Sequence, residues 1–466
     1  MAAVTAYLNP LNPAVSKTRI ILLLAWPAIV EQILQTLVNY VDTAMVGALG
    51  VNEAAAVSVN VPLTWLINGV NLSVSTGFSV LAARAVGRGE AEAAKEIIRQ
   101  AVIGIFVIGI SMSLLACMLI APNYARLMGV EAEILDDSIA YLRIITAGLL
   151  FQLMLAVTSA ITRGLGNTKT PMLYNACLNV INVALNFLLI YPSRTIVLFG
   201  RKLPLPGAGM GVRGAAWASL LAAVFAGVLM LSALFRKKNP YSIHVSDRFR
   251  VNPAIMRQMG RLSFPLLLER VLLNSGQILV SSLAAGMGTA ALAAHQLANT
   301  AESICYLPAN GFGVAATTLV AQAAGAGKEE LANLYTKKCL CYNILVMCVM
   351  ATAMFVFAPQ LMGLFIEEQS VIQTGALLLR VEALVEPCLA INNVLTGVMK
   401  ARGKTIWPFL IALLGMWLIR VPMSFAAVKL LQGGLVALWI VMGLDWIVRT
   451  LACFWCSRRI SAQARR

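Results

Sequence analysis

Twelve stretches of about twenty or more mostly apolar residues follow one another along this chain and leave little room for anything else. They are Ile20–Leu49, Ala54–Leu81, Ile97–Ile120, Ile139–Ile161, Pro171–Tyr191, Gly214–Phe235, Leu262–Ala285, Leu292–Ala321, Cys339–Phe365, Thr374–Val398, Ile406–Val428 and Gly434–Cys456. A backbone in hydrocarbon must satisfy its own N–H and C=O groups, so each stretch reads as a helix and not as an open strand. Composition agrees: the 466 residues are 59% hydrophobic and only 12% charged, where a soluble domain carries roughly a quarter charged. The expected fold is an all-α polytopic membrane protein. The first stretch is too long for a signal peptide's apolar region and no cleavage pattern follows it, so it reads as retained.

A net charge of +16 suggests nucleic acid until the charges are placed. With the N-terminus inside, basic residues crowd the cytoplasmic ends. They fall at Lys17 and Arg19, Arg84 to Arg99, Arg163 and Lys169, Arg236 to Arg261 (Lys238 included), Lys328 to Lys338, Lys400 to Lys404, and Arg458 to Arg466 (Arg465 included). The acidic loops Glu131–Asp137 and Glu367–Glu368 fall outside. This is the positive-inside bias. It predicts a multi-pass inner-membrane protein with both termini cytoplasmic, a lipid bilayer as partner and no nucleic acid. The nine cysteines lie in or beside predicted helices. The Cys453-x-x-Cys456 pair lacks the further ligands of a metal site, so neither a structural metal nor a cofactor is expected.

Shifted by 238 residues, the sequence meets itself. Pro27 falls on Pro265, Glu31 on Glu269, Leu34 on Leu272, Gly50 on Gly288, Gly87 on Gly325 and Gly89 on Gly327. At an offset of 237 the register resumes: Arg143 on Arg380, Gly166 on Gly403, Thr168 on Thr405, Pro171 on Pro408. Six spans per repeat is an even number, so the halves form two parallel, pseudo-symmetric six-helix bundles. The domain division is residues 1–236, a basic linker at 237–261, and 262–466. Substrate then binds between halves near the midplane, and access alternates as they rock.

Ionisable and amide groups inside a bilayer are expensive and mark function by default. The first span holds Glu31, Gln35, Asn39 and Asp42 at steps of 4, 4 and 3, one helical face. The second holds Asn60, Thr64, Asn68, Asn71 and Ser75. The fifth holds Tyr174, Asn175, Asn179, Asn182 and Asn186. Such stripes avoid lipid. They line either a wet cavity or a polar packing seam, and the carboxylates favour the cavity. Asp42 is the sharpest candidate for exchanging a proton or holding Na+, and Pro27, fifteen residues earlier, offers either a hinge or a static kink. Glu31 and Glu269 either bind cations or pair with basic groups such as Arg270. Glu302, Glu382 and Glu386 give the second half its own acidic character. Asp445 and Arg449, at i and i+4, read as a structural pair, and Arg420 as a packing and pairing residue.

Other strings carry nothing. Gly209-x-Gly211-x-x-Gly214 lacks a βαβ context and reads as a turn. Gly327–Lys328 lacks the rest of a phosphate-binding loop, so direct ATP drive is not expected. His244 and His295 lack a catalytic constellation, and the chain is not read as an enzyme.

At these residues the chain resembles the multidrug and toxic compound extrusion family. The strings are Pro27 to Glu31-Gln32 to Val41-Asp42-Thr43 to Val46-Gly47, and Arg163-Gly164-Leu165-Gly166-Asn167-Thr168. In the second half they are Ala294-His295, Glu302, Pro308, Gly311, Gln322, Gly325, Ala401-Arg402-Gly403 and Arg420-Val421-Pro422. The resemblance implies export of organic cations in exchange for H+ or Na+. It implies that Asp42 is the coupling residue, with Gln35 beside it, and that Asn182 and Asn186 match a pair of one proton-coupled branch. There the second residue is typically Asp, so the two-carboxylate network is incomplete here. The expectation is therefore a monomeric cation-coupled antiporter for small cationic substrates. Asp42 and Glu31 couple; Gln35, Asn39, Asn68, Asn182, Asn186, Glu269, Glu302 and Glu386 line the cavity; Pro27 bends. The alternative is a lipid-linked head-group flippase, which needs a basic cavity.

Overall fold

The computed structural model describes residues 8, 10–11, 15–128, 130–198, 201–237 and 239–463. Lys238, Arg465 and Arg466 lie outside the described residues. Those described are almost entirely helical. The first repeat holds α1 (Lys17–Gly47), α2 (Val51–Ser58), α3 (Val61–Gly87), α4 (Ala91–Leu115), α5 (Ala121–Leu127), α6 (Ala132–Ala147), α7 (Leu149–Gly164), α8 (Lys169–Leu189) and α9 (Gly211–Phe235). The second holds α10 (Pro253–Ala285), α11 (Thr289–Cys305), α12 (Leu307–Gly325), α13 (Glu329–Val356), α14 (Ala358–Gly363), α15 (Gln369–Ala383), α16 (Glu386–Ala401), α17 (Ile406–Ala412), α18 (Val421–Phe425) and α19 (Gly434–Gln463).

The internal repeat survives in the element boundaries. Val51 and Thr289 open α2 and α11, and Ala91 and Glu329 open α4 and α13, both pairs offset by 238. Leu149 and Glu386 open α7 and α16, and Lys169 and Ile406 open α8 and α17, both offset by 237. Gly89 and Gly327 share the same backbone exception, at φ +75° and +70°. A residue with a Cβ is strained there, so the repeat keeps a glycine at each turn between its second and third spans.

Among the described residues, nine helices are long and apolar enough to cross a membrane singly. Two more spans are bent pairs: α6 with α7 at 43°, and α11 with α12 at 46°. The bends fall at Gly148 and just before Pro308, where a missing side chain and a missing N–H weaken the helical ladder. The expected tenth span, Thr374–Val398, is likewise divided, into α15 and α16 at Leu384–Val385. It carries Arg380, Glu382 and Glu386 and does not reach that level of apolarity. The eleventh runs as one span but is wound as π-helix over Leu413–Arg420 and Ala426–Leu430. Between α8 and the glycine turn that opens α9 lies an antiparallel hairpin, Pro192–Leu198 with Arg201–Ala208, an exception to the all-α reading.

The surface is inverted relative to a soluble protein. In α9 most of the buried residues are small (Gly214, Ala215, Ala218, Ala222, Ala226 and Gly227 among them), while Trp217, Leu221, Phe225 and Val228 point outward. A Cβ on Gly227 would meet the backbone oxygen of Phe151 at 2.8 Å. This is how helices pack in lipid, where close backbone approach drives association and large apolar groups gain nothing by turning inward.

By compactness the chain forms two units. One holds Val30–Ala82 and Glu90–Met259; the other holds Tyr7–Ile29, Ala83–Gly89 and Gly260–Arg466. The division thus departs from the sequence halves in two places. The start of α1 and the end of α3 belong with the second repeat. Ile20, Ile21 and Leu24 are packed against Phe312, Leu319 and Tyr335, and the backbone of Gly325 lies against that of Arg84. The change of unit within α1 falls at Ile29, two residues after Pro27, and α1 runs unbroken through that proline.

Candidate functional site

In the first unit the site is built on α8. Pro171, Asn175, Asn179, Asn182 and Asn186 recur at steps of 4, 4, 3 and 4 and are its buried residues, whereas Leu173, Val180 and Phe187 are exposed. A helix that buries amides and exposes leucine and valine is placed by lipid, which accepts the apolar face and rejects the polar one.

Two carboxylates of α1 meet this amide face. Asn186 donates from Nδ2 to Asp42 Oδ1 at 2.5 Å and to Asn182 Oδ1 at 3.3 Å, while Asn182 donates onward to Ser219 Oγ of α9 at 3.3 Å. Asn175 donates to Glu31 Oε1 at 3.0 Å. The two contacts lie eleven residues apart on both helices, so α1 and α8 run parallel and three turns separate the contacts, about 16 Å along the axis. Glu31 and Asp42 differ in their remaining partners. Arg163, in the last turn of α7, reaches both oxygens of Glu31 at 2.9 and 3.0 Å. Among the described residues, Asp42 has Asn186 as its only side-chain hydrogen-bond partner, and it is half-buried.

The predicted stripe of the first span is therefore divided. Glu31 and Asp42 reach α8; Gln35 and Asn39 are exposed, Gln35 accepting from Gln32 at 3.5 Å. On α3, Asn68 is exposed and Asn71 buried. Asn60 turns the other way, donating to Ala56 O and to Ser138 Oγ of α6, a packing role at the break between α2 and α3. Asn179 Nδ2 and Asn71 Oδ1 are buried without a hydrogen-bond partner among the described residues.

The second unit holds a separate buried cluster. Glu302, Glu382 and Glu386 are all buried and close enough for their charges to interact. Among the described residues, neither oxygen of Glu386 has a hydrogen-bond partner. Arg420 Nε lies 2.7 Å and Arg449 Nε 2.6 Å from the fully buried Asp445. Both guanidinium carbons sit over the Trp446 ring, at 5.5 and 5.1 Å. Trp439 Nε1 donates to His295 Nδ1 at 3.1 Å. Glu269 lies 3.8 Å from Lys400, not paired with the adjacent Arg270. Among the described residues, no group of three or more His, Cys, Asp or Glu side chains is arranged to hold a metal ion.

Sequence reasoning missed Arg163 and Lys400 as partners, having read both as loop charges; helical ends and loop ends look alike in a basic sequence. It also missed Ser219 and the nearby Tyr141, whose phenol feels the Asp42 charge. Their hydroxyls carry no pattern along their own helices.

A duplicated array of bent and unbroken membrane helices, each half holding its own buried polar cluster, defines a multi-pass membrane transporter. The family pattern MatE matches residues 27–188 and 265–426, two blocks offset by the same 238 residues as the repeat, and the chain belongs to that family. The chain is 28% identical over 434 residues to the Thermotoga maritima protein named "Probable multidrug resistance protein NorM", covering 92% of this chain and 89% of that one. It is 24% identical to "Probable multidrug resistance protein YoeA" of Bacillus subtilis, over 89% of this chain and 88% of the relative. Among solved structures it resembles a MATE transporter in complex with MaL6, at TM-score 0.88 and 21% identity, covering 96% and 97% of the two chains.

Proposed function

We propose that this protein is a secondary active antiporter that exports lipophilic organic cations in exchange for H+ or Na+. The observation that carries the reading is the difference between the two carboxylates of α1: Glu31 is neutralised by Arg163, whereas Asp42 is held by an amide alone. A half-buried carboxylate without a counter-charge gains a proton or a small cation readily, because either removes the cost of its burial. Gln35, Asn39 and Asn68 are exposed polar groups at membrane depth, which fits a wetted surface and not acyl chains. Asn186 holds Asp42 in place by donation, itself tied to Asn182 Oδ1, and leaves the second oxygen of the carboxylate for the ion.

In the second unit, Glu302 and Glu386 offer further buried acidic groups for a cationic substrate or ion. The family's membrane fold and the relatives' names support drug export; the basic loops support an inner-membrane location with both termini in the cytoplasm. Pro27 offers the bend as Asp42 changes charge. A one-for-one exchange of monovalent cations is electroneutral and is driven by the concentration gradient of the ion; each net charge that enters beyond that adds about 2.3 kcal/mol per 100 mV.

The test is counterflow of a fluorescent organic cation in proteoliposomes under an imposed pH gradient and, separately, a Na+ gradient. Uptake driven by one gradient and lost in Asp42→Asn supports the reading. Uptake indifferent to both gradients, or undiminished in Asp42→Asn, rejects it.

A further inference from the structure

The repeat offers a way to separate scaffold from site, because a scaffold contact recurs in both halves whereas a site that does one job need not. Arg163 falls on Lys400 at the same offset of 237 that aligns α7 with α16, and Glu31 falls on Glu269. The Glu31–Arg163 pair of the first unit is thus matched by Glu269–Lys400 in the second, each joining the first span of its repeat to the end of the fourth. The positions equivalent to Asp42 and Asn186 are Val280 and Met423, which can make no such contact. The carboxylate pair that repeats and the carboxylate that does not are different kinds of residue.

We propose that Glu31 and Arg163 are positioning residues and not ion-coupling residues: with Glu269–Lys400 they form a duplicated staple, and in the first repeat that staple sets Asp42 opposite Asn186. The geometry gives the route. Glu31 uses both oxygens on Arg163 and also accepts from Asn175 of α8, so α1, α7 and α8 are tied at one point. Three parallel turns later the same two helices present Asp42 to Asn186. A slip or rotation of α1 at Glu31 therefore carries through to the Asp42 contact. In the second repeat the third tie is missing, because Ala412 stands where Asn175 would be, and Glu269 Oε2 is buried without a hydrogen-bond partner among the described residues. That copy joins two helices and positions nothing downstream. For Glu31 to bind a coupling ion, Arg163 would have to leave, stranding a guanidinium beside a span.

The proposal rests on the reading that Asp42 carries the coupling ion, and the test separates the two. Purified full-length protein in detergent is titrated with H+ and with Na+ while bound ethidium, a lipophilic cation, is followed by fluorescence anisotropy. Glu31→Gln is expected to remain folded and still release ethidium to the ion, with the midpoint shifted. Exchanging the charges in a Glu31→Arg, Arg163→Glu double variant is expected to move the midpoint back toward the parent. Glu269→Gln is expected to lower the melting temperature and leave the midpoint unmoved. Loss of ion-driven release in Glu31→Gln, as in Asp42→Asn, overturns the proposal by making Glu31 a coupling residue. An unmoved midpoint in Glu31→Gln overturns it by leaving only a structural role. Ion-driven release that persists in Asp42→Asn overturns the coupling assignment itself and the positioning role with it.

Discussion

Removing the Asp445 carboxylate strands two guanidiniums at once, and the cost follows from the geometry. Asp445 is fully buried, with Arg449 Nε at 2.6 Å and Arg420 Nε at 2.7 Å. The Arg449 contact is an aligned hydrogen bond; the Arg420 contact is close but not aligned as one. The space for this cluster exists because residue 415 is glycine, since a Cβ there would collide with Asp445 and Arg449. Breaking a buried pair by removing one partner costs about 3–5 kcal/mol, because the surviving charge stays desolvated. With one carboxylate serving two cations, Asp445→Asn belongs near the top of that range. A kcal/mol shifts melting by about 2–4 °C in a domain of 150–250 residues. For a longer chain the expected fall is about 5–10 °C, read by thermal-shift fluorescence of the purified protein in detergent. Replacing all three charges with apolar side chains (Asp445→Leu, Arg420→Met, Arg449→Met) is expected to recover most of that loss, as buried ionic clusters exchanged whole are often neutral. If Asp445→Asn melts within about 1 °C of the parent, the cost is misassigned, because such a small change lies far below any buried-pair estimate.

Three further outcomes follow from the packing and the site. Gly325→Val and Gly87→Val each place side-chain atoms on a backbone, that of Arg84 and that of Gln322 respectively; both are expected to lose transport and expression yield, whereas Gly260→Ala, with open space around it, leaves both intact. Asn186→Leu removes the donor to Asp42 and is expected to abolish ion-driven counterflow while the protein stays monodisperse on gel filtration. Trp439→Phe leaves His295 Nδ1 without its indole donor and is expected to cost about 1 kcal/mol of stability, the net worth of one hydrogen bond, visible as a small drop in melting temperature.

Much of this was legible in the sequence because lipid simplifies the reading. Apolar length alone locates spans, and in a membrane an amide stripe such as Asn175–Asn179–Asn182–Asn186 can only turn inward, so its buried face followed from spacing. The repeat was equally plain, since Pro27 with Glu31 and Pro265 with Glu269 hold one register. What did not show was anything decided between helices. Arg163 and Lys400 look like the other basic loop residues; nothing local says that their side chains fold back onto Glu31 and Glu269. The break at Leu384–Val385 has its signal just past the joint, in Pro387 at the start of α16, as Pro308 stands at the start of α12, and an apolar window passes over it. The π-wound segments of the eleventh span, beside the Arg420–Asp445–Arg449 cluster, have no sequence pattern of their own. The hairpin of Pro192–Leu198 with Arg201–Ala208 falls between two apolar stretches, where no strand was expected.

The claim on which the mechanism turns is that Asp42 gives up its ion when a cationic substrate binds. It is met most directly by counting ions: H+ release into weak buffer, or Na+ release to an ion-selective electrode, when a lipophilic cation is added to the purified protein. The account predicts that the parent releases one of the two ions on substrate binding and that Asp42→Asn still binds substrate and releases neither. Equal release from parent and Asp42→Asn would contradict it.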